Sequence, residues 1–230
     1  MDKPLLVDLF CSAGGIAKGY AEAGFEVVGV DIDKQPRYPY EFVRWDALTI
    51  PLDEFDAIHA SPPCQSYSIT RHGHSKQYPK LIGLMRERLK ASGLPWVIEN
   101  VVGAPLIAPA TVCGTAFGLE VTDDDGMQLY LRRHRLFEAS FALMSSACWC
   151  AVNRAHPGFY VGGVYGGARR NRHEAQNVRH GGYVPSFEKQ KTLMGIDWMT
   201  QDELHEAIPP AYGEFIGKQL IAEVMKKVAA

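Results

Sequence analysis

Pro-Leu-Leu-Val-Asp-Leu-Phe-Cys-Ser-Ala-Gly-Gly-Ile-Ala-Lys-Gly-Tyr-Ala-Glu-Ala-Gly, residues 4–24, decides the fold. Its short apolar run at 4–10 ends at Ser12, Gly14 and Gly15, and residues 15–24 then read as a helix closed by Gly24. The unit is strand, glycine turn, helix. Working outward, residues 25–31 (Phe-Glu-Val-Val-Gly-Val-Asp) make a second strand, and 42–45 before Asp46 a weaker third. Residues 55–60 are a fourth strand, stopped by Pro62-Pro63. A polar stretch at 65–79 precedes a helix at about 80–92 capped by Gly93, and 95–101 is a fifth strand. Strands alternating with helices in this way predict an α/β fold with a doubly wound parallel sheet covered on both faces. After Gly103 the pattern weakens. Residues 132–141 are strand-like, 145–186 are rich in Gly, Arg, His, Asn and aromatics without a sustained period, and a last helix is expected at 212–228 after Pro209-Pro210. No internal repeat or low-complexity tract interrupts the chain.

The chain has 230 residues, room for one full α/β domain at ~150 residues plus a small appendage. With 47% hydrophobic and 22% charged residues it can bury a core, which excludes disorder as its main state. No stretch approaches the roughly 18 apolar residues of a membrane span, and the start lacks a signal peptide's apolar region, so a soluble cytoplasmic protein is expected. The five cysteines, at 11, 64, 113, 148 and 150, are odd in number and irregularly spaced. They predict free thiols in a reducing compartment. The net charge of -2 hides an asymmetry: residues 1–129 hold 11 Lys/Arg against 17 Asp/Glu, and residues 130–180 hold 8 against 2. That basic block is either a solvated face or a surface that meets phosphate.

In a doubly wound sheet, ligands sit beyond the carboxyl ends of the strands. Gly14, Gly15 and Gly19 follow the first strand without spelling G-x-G-x-x-G, which counts against NAD and leaves other adenosine cofactors. Asp31 ends the second strand 17 residues after Gly14, near the ~20-residue offset at which a carboxylate meets ribose hydroxyls. Asp46 ends the third and can accept from an adenine amino group. Either acid alone is as readily a cap or a surface carboxylate.

Ser61-Pro62-Pro63-Cys64-Gln65 lies beyond the fourth strand, on the same edge as the glycine turn. Two prolines fix the backbone and present the Cys64 thiol in a rigid loop, where a lone cysteine would otherwise read as core. Glu99, in Glu-Asn-Val at the end of the fifth strand, is expected to be partly desolvated and so to hold a proton nearer neutral pH. Arg133 and Arg135 share one face if extended, as an exposed basic edge or as paired guanidiniums gripping an oxyanion, carbonyl or phosphate. Cys148-x-Cys150 with His156 is too sparse a pattern for zinc, and no metal is expected.

Taken together and in this order, these motifs resemble the cytosine-C5 DNA methyltransferase family. The resemblance implies an S-adenosylmethionine-dependent enzyme with a Rossmann-like methyltransferase sheet and a small, reduced target-recognition insert. It implies a cofactor site of Asp8, Phe10, Cys11, Ser12, Gly14 and Gly15, then Asp31, Ile32, Asp46, Ala47 and Pro62. Cys64 is then the nucleophile, Glu99 the acid, Arg135 the contact to the base oxygen, and Arg133 a brace for Glu99 or a phosphate. Double-stranded DNA is the implied partner of a monomeric enzyme, with Gln65, Ser68 and Arg71 over the flipped base and Arg169, Arg170 and Arg172 reading base edges.

Family members are usually longer. Residues 1–138 are expected to form the catalytic, cofactor-binding domain, 139–190 a reduced target-recognition region, and 191–230 a segment returning to the catalytic domain. The compact size is similar to phage-encoded members; a phage-encoded modification enzyme would work in the host cytoplasm. Two departures stand out: Leu131 where the family commonly has Gln, and Ile208-Pro209-Pro210 without the usual Gly-Asn pair. Three alternatives remain open: a tRNA cytosine substrate, a modified S-adenosylmethionine donor, and a DNA-binding module without catalysis.

Overall fold

The structure is a computed structural model and describes residues 2–64, 67, 79–150, 160–165 and 183–228. Its strands are β1 (Leu5–Leu9), β2 (Glu26–Asp31), β3 (Glu41–Arg44), β4 (Ala57–Ala60), β5 (Trp96–Val101), β6 (Ala110–Val112), β7 (Glu120–Thr122), β8 (Gln128–Leu131), β9 (Arg135–Ala139) and β10 (Tyr160–Gly162). Its helices are α1 (Gly15–Glu22), α2 (Ile82–Ser92), α3 (Phe187–Met194), α4 (Gln201–Glu206) and α5 (Pro210–Val228).

Seven strands form the main sheet in the order β3-β2-β1-β4-β5-β9-β6. The first five are mutually parallel, and β9 runs antiparallel to both β5 and β6. From β1 the chain moves outward to β2 and β3, then returns across β1 to lay down β4 and β5. The strand order therefore reverses between β1 and β4, and the crevice beyond their carboxyl ends is where such sheets take ligands. The glycine turn after β1 and the Pro-Pro-Cys loop after β4 both open there.

Alternation along the strands sorts the side chains onto two faces. Leu6, Val27, Ala57, Val97 and Phe137 pack with Tyr20 of α1 and Tyr212, Ile216 and Leu220 of α5. Val7, Leu9, Val30, Ile58, Ala60 and Ile98 pack with Met85 and Leu89 of α2. Each such side chain contributes roughly 1.5–3 kcal/mol by leaving water. α1 and α5 cross backbone to backbone because glycines stand at the crossing: a methyl on Gly19 would overlap the Pro210 carbonyl, and one on Gly217 would come within 2.7 Å of Ala23 Cβ. On the other face, Arg86 of α2 grips Glu138 of β9 through Nε at 2.6 Å and Nη2 at 2.7 Å.

Beyond Gly103 the structure differs from the sequence expectation in detail. The strand expected at 132–141 is β9, beginning only at Arg135, and Leu131 belongs to β8 in a separate three-stranded sheet of order β10-β8-β7. That small sheet rests on α3, with Leu131, Val164, Leu193, Met194, Ile196 and Leu204 in one core beside Ala13 of the glycine turn. α4 opens with a reciprocal Thr200–Glu203 capping box. α5 starts at Pro210, two residues earlier than expected, because proline is well suited to a first helical position. Among the described residues no helix is long and apolar enough to cross a membrane.

Candidate active site

Asp8, His59, Glu99 and Arg135 stand on β1, β4, β5 and β9, four neighbouring strands. Asp8 and His59 are paired in register, both are fully buried, and Asp8 Oδ1 lies 2.7 Å from His59 Nδ1. Tyr38 donates its hydroxyl to Asp8 Oδ2 at 3.4 Å. A carboxylate beside Nδ1 favours the proton on that nitrogen, leaving Nε2 to accept. Ser61 Oγ sits 3.4 Å from Nε2 and also interacts with Glu99. Its single proton can serve one of them at a time.

Glu99 is 5% exposed. Burial raises its pKa above the ordinary carboxyl range, against the opposing pull of Arg135, His59, Ser61 and Arg133. Arg135 Nε approaches Glu99 Oε1 at 3.1 Å as an ion pair, but without hydrogen-bond alignment. Oε1 has no hydrogen-bond donor among the described residues. A buried acceptor left in this state is costly unless something donates to it.

Cys64 is half-buried at the end of a loop held from two sides. Ser61 N–H donates to the Leu9 carbonyl at 3.1 Å, prolonging the β1–β4 ladder. Asn100, 1% exposed, donates from Nδ2 to the Pro62 carbonyl at 2.8 Å. The Cys64 carbonyl accepts from Tyr67 N–H at 2.9 Å. The thiol pKa is raised by burial and by the Glu99 carboxylate, and pulled back by Arg135 and a backbone hydrogen bond. Cys64, Glu99 and Arg135 thus share one electrostatic environment.

Arg133 is a correction. It does not share a strand face with Arg135, because 132–134 is the link between the two sheets. It donates from Nη1 to the Val164 carbonyl at 3.0 Å and from Nη2 to the His205 carbonyl at 2.8 Å. Burial and the neighbouring Arg135 lower its pKa to about 9. Arg133 therefore clamps the small sheet and α4 to the site, and its own carbonyl accepts from Tyr212 Oη at 2.5 Å.

At the other half of the crevice, Phe10 and Ser12 adopt positive φ values of 60° and 45°, conformations that store strain for non-glycine residues. Asp31 accepts from Ser12 N–H at 3.1 Å and Asp33 N–H at 3.0 Å, and Asp46 from Leu48 N–H at 2.9 Å. Ile32 and Trp45 lie 63% and 49% exposed beside these acids. Several of the residues expected to hold the cofactor turn their side chains into the protein. Asp8 is enclosed by His59 and Tyr38, Cys11 packs into the α1–α5 core with burial raising its pKa, and the Ala47 methyl is core on the α2 side. Pro62 is buried, its carbonyl committed to Asn100. Gly14 has a φ of 79°, and a Cβ there would lie 2.7 Å from Pro39 Cδ; one on Gly15 would lie 2.5 Å from the Ile208 carbonyl oxygen. The close approach that needs these glycines is made by the chain itself.

Gln65, Ser68, Arg71, Arg169, Arg170, Arg172 and His156 lie outside the described residues. His59 and Trp45 escaped the sequence reading; the only signal for His59 was a polar side chain inside an apolar strand, two residues before Ser61. The reading also missed a cluster in which Cys148 and Cys150 meet Cys113 and His134, with all four ligand atoms within 4.8 Å of one another.

Residues 5–90 match the model of the C-5 cytosine-specific DNA methylase family. The Type II methyltransferase M.AgeI of Thalassovita gelatinovora is 26% identical over 171 residues, 58% of this chain and 39% of that protein. The match thus spans about two fifths of the relative's length. Among solved structures, a prophage-encoded protein of E. coli described as a DNA modification methyltransferase superposes with a TM-score of 0.57 at 13% identity, covering 97% of this chain and 99% of the other. The S. pombe Dnmt2 methyltransferase gives 0.53 at 12% identity, covering 96% and 99%. The structural likenesses carry the fold alone; with the sequence matches, the chain resembles the C-5 cytosine-specific DNA methylase family, whose sequence pattern it carries over residues 5–90.

Proposed function

We propose that this protein transfers a methyl group from S-adenosylmethionine to C5 of a cytosine in double-stranded DNA. The observation that carries the reading is that the Cys64 thiol, on the loop after β4, shares its electrostatic surroundings with the buried Glu99 carboxyl of β5, itself paired with the Arg135 guanidinium of β9.

The residues of the crevice fit the cofactor. Exposed Ile32 and Trp45 offer apolar faces to an adenine, and Asp31 and Asp46 keep acceptor capacity for ribose hydroxyls and an amino group. Ser12 and strained Phe10 border the same edge. When bound, S-adenosylmethionine supplies an electrophilic methyl carbon.

C5 of cytosine is a poor nucleophile, and Cys64 corrects that by forming a bond from Sγ to C6, which pushes electron density onto C5. The Cys64 thiol, its pKa raised by burial, gives its proton to water as Sγ adds to C6. Glu99, whose burial favours the protonated carboxyl, gives a proton to N3, and its other oxygen accepts from the exocyclic amine. Arg135 holds the base O2 and keeps Glu99 aligned. After methyl transfer the C5 proton leaves to water, the Sγ–C6 bond breaks, N3 returns its proton to Glu99, and Sγ takes a proton from water to restore the thiol. The base must be rotated out of the duplex to reach this pocket. Gln65, Ser68 and Arg71, with Arg169, Arg170 and Arg172 of the basic block, are the residues proposed to meet the DNA.

The test is trapping on a duplex carrying 5-fluorocytosine with S-adenosylmethionine. Fluorine cannot leave as a proton does, so a covalent adduct is expected, mapped to Cys64 and absent in Cys64→Ser. No adduct on any DNA would overturn the reading, and trapping on tRNA alone would move the substrate to RNA.

A further inference from the structure

Cys113 follows β6, His134 precedes β9, and Cys148 and Cys150 lie in the segment after β9. Their three sulfurs and one imidazole nitrogen lie within 4.8 Å of one another. Cys113 Sγ and Cys150 Sγ are 3.4 Å apart, and His134 Nε2 and Cys148 Sγ are 3.2 Å apart. None of these cysteines is in a disulfide; an S–S bond would be about 2.05 Å long. Zinc bonds of about 2.3 Å to sulfur and about 2.0 Å to nitrogen give a tetrahedron with edges of about 3.8 Å between sulfurs and about 3.5 Å between sulfur and nitrogen. The two short separations fall a few tenths of an ångström inside those edges, and no pair of the four atoms is more than 4.8 Å apart. The cage is sized for one ion.

We propose that Cys113, His134, Cys148 and Cys150 bind a single structural Zn²⁺. Three thiolates and an imidazole form a soft donor set that selects zinc over hard cations such as Mg²⁺ or Ca²⁺. All four positions come from the chain, so the site is closed and keeps no place for water or substrate. Its support is built from protein groups. Thr115 Oγ1 donates to Cys113 Sγ at 3.4 Å. The incoming segment is laid along β6 by Thr111 N–H to Ser145 Oγ at 2.9 Å, Ser146 N–H to the Thr111 carbonyl at 3.1 Å, and Cys113 N–H to Ser146 Oγ at 3.2 Å. Such outer contacts orient metal ligands and fix their geometry.

The ion's place in the chain gives it a task. His134 stands between Arg133 and Arg135, and Arg135 Nη1 donates to the His134 carbonyl at 3.1 Å. Fixing the His134 ring holds the short link that carries both guanidiniums, one facing Glu99 and the other clamping the small sheet. The same ion stitches the outer edge of the main sheet, β6 and β9, to the segment leading into residues 151–159.

The test uses the full chain purified from zinc-supplemented medium without chelator. About one zinc per chain is expected, released by a mercurial thiol reagent and read with a chromogenic chelator. Replacement by Co²⁺ is expected to produce the visible bands of tetrahedral thiolate coordination. Cys113→Ser and Cys150→Ser should lose the metal and Cys64→Ser should keep it; should the first two fail to fold, the wild-type Co²⁺ spectrum and mercurial release decide. A folded wild-type chain with neither zinc nor Co²⁺ bands overturns the proposal. So does a Cys113–Cys150 disulfide found by mass spectrometry in that preparation, or zinc retained in both serine variants.

Discussion

Glu99→Gln separates the chemistry of the site from its stability, because the two should respond in opposite directions. Glutamine keeps the shape of the side chain and can still hydrogen-bond, but it has no proton to give to N3 of the base. Loss of a positioned general acid costs about 10²–10⁴ in rate, or about 2.7–5.5 kcal/mol of transition-state stabilisation at about 1.36 kcal/mol per decade. Stability follows from burial. The native carboxyl, 5% exposed, titrates above the unfolded value, which is about 4.3. Between those two values the native chain binds the proton more tightly than the unfolded one, so this group's contribution is complete below about pH 4.3 and is lost as pH rises through the window. The slope reaches at most about 1.4 kcal/mol per pH unit, or about 3–5 °C of melting temperature per unit for a chain of this size. Glu99→Gln does not titrate, so the difference in melting temperature between variant and wild type should grow in the variant's favour from pH 4 towards neutrality. Single-turnover methyl transfer measures the chemical step, and thermal unfolding of both proteins across pH 4–8 measures the linkage. Methyl transfer within tenfold of wild type, or two parallel melting curves, would refute the reasoning.

Asn100→Ala removes the 2.8 Å hydrogen bond to the Pro62 carbonyl and leaves that buried acceptor unpaired, at a cost of about 1–3 kcal/mol. Slower covalent trapping at saturating DNA is expected with cofactor affinity unchanged, and an unchanged trapping rate would show that the loop does not depend on Asn100. Alkylation at Cys64, followed by peptide mass spectrometry, should still be accelerating above the ordinary thiol value of about 8.5, since burial and Glu99 raise its pKa. In Glu99→Gln the profile should move to lower pH, and a plateau below pH 8.5 in wild type would contradict the burial argument.

The part of the fold that was legible in the sequence is the part built from local units. β1 to β5 each end at, or within three residues of, a serine, aspartate, proline or glycine that punctuates the chain, and α1 and α2 bury apolar faces against them. The later strands are three to five residues long, and the chain passes from one sheet to the other within the link between Leu131 and Arg135, so no single period spans the region. The site divides along the same line. Cys64 and Glu99 were legible because each sits at a strand end inside a compact motif. Asn100 shows how such a motif does two jobs: successive side chains on β5 face opposite ways, so Glu99 reaches the crevice while its neighbour ties down the loop that carries Cys64. The glycines were legible as a turn, but what crowds them, Tyr38, Pro39 and the Ile208 carbonyl, is distant in sequence. The Cys/His cluster was invisible for the same reason, since Cys148-x-Cys150 is the only local pair and its partners come from positions 113 and 134. Groups that meet the base can be placed by one strand end each. Groups that hold those strand ends in position draw on several elements at once, and only the folded chain shows them together.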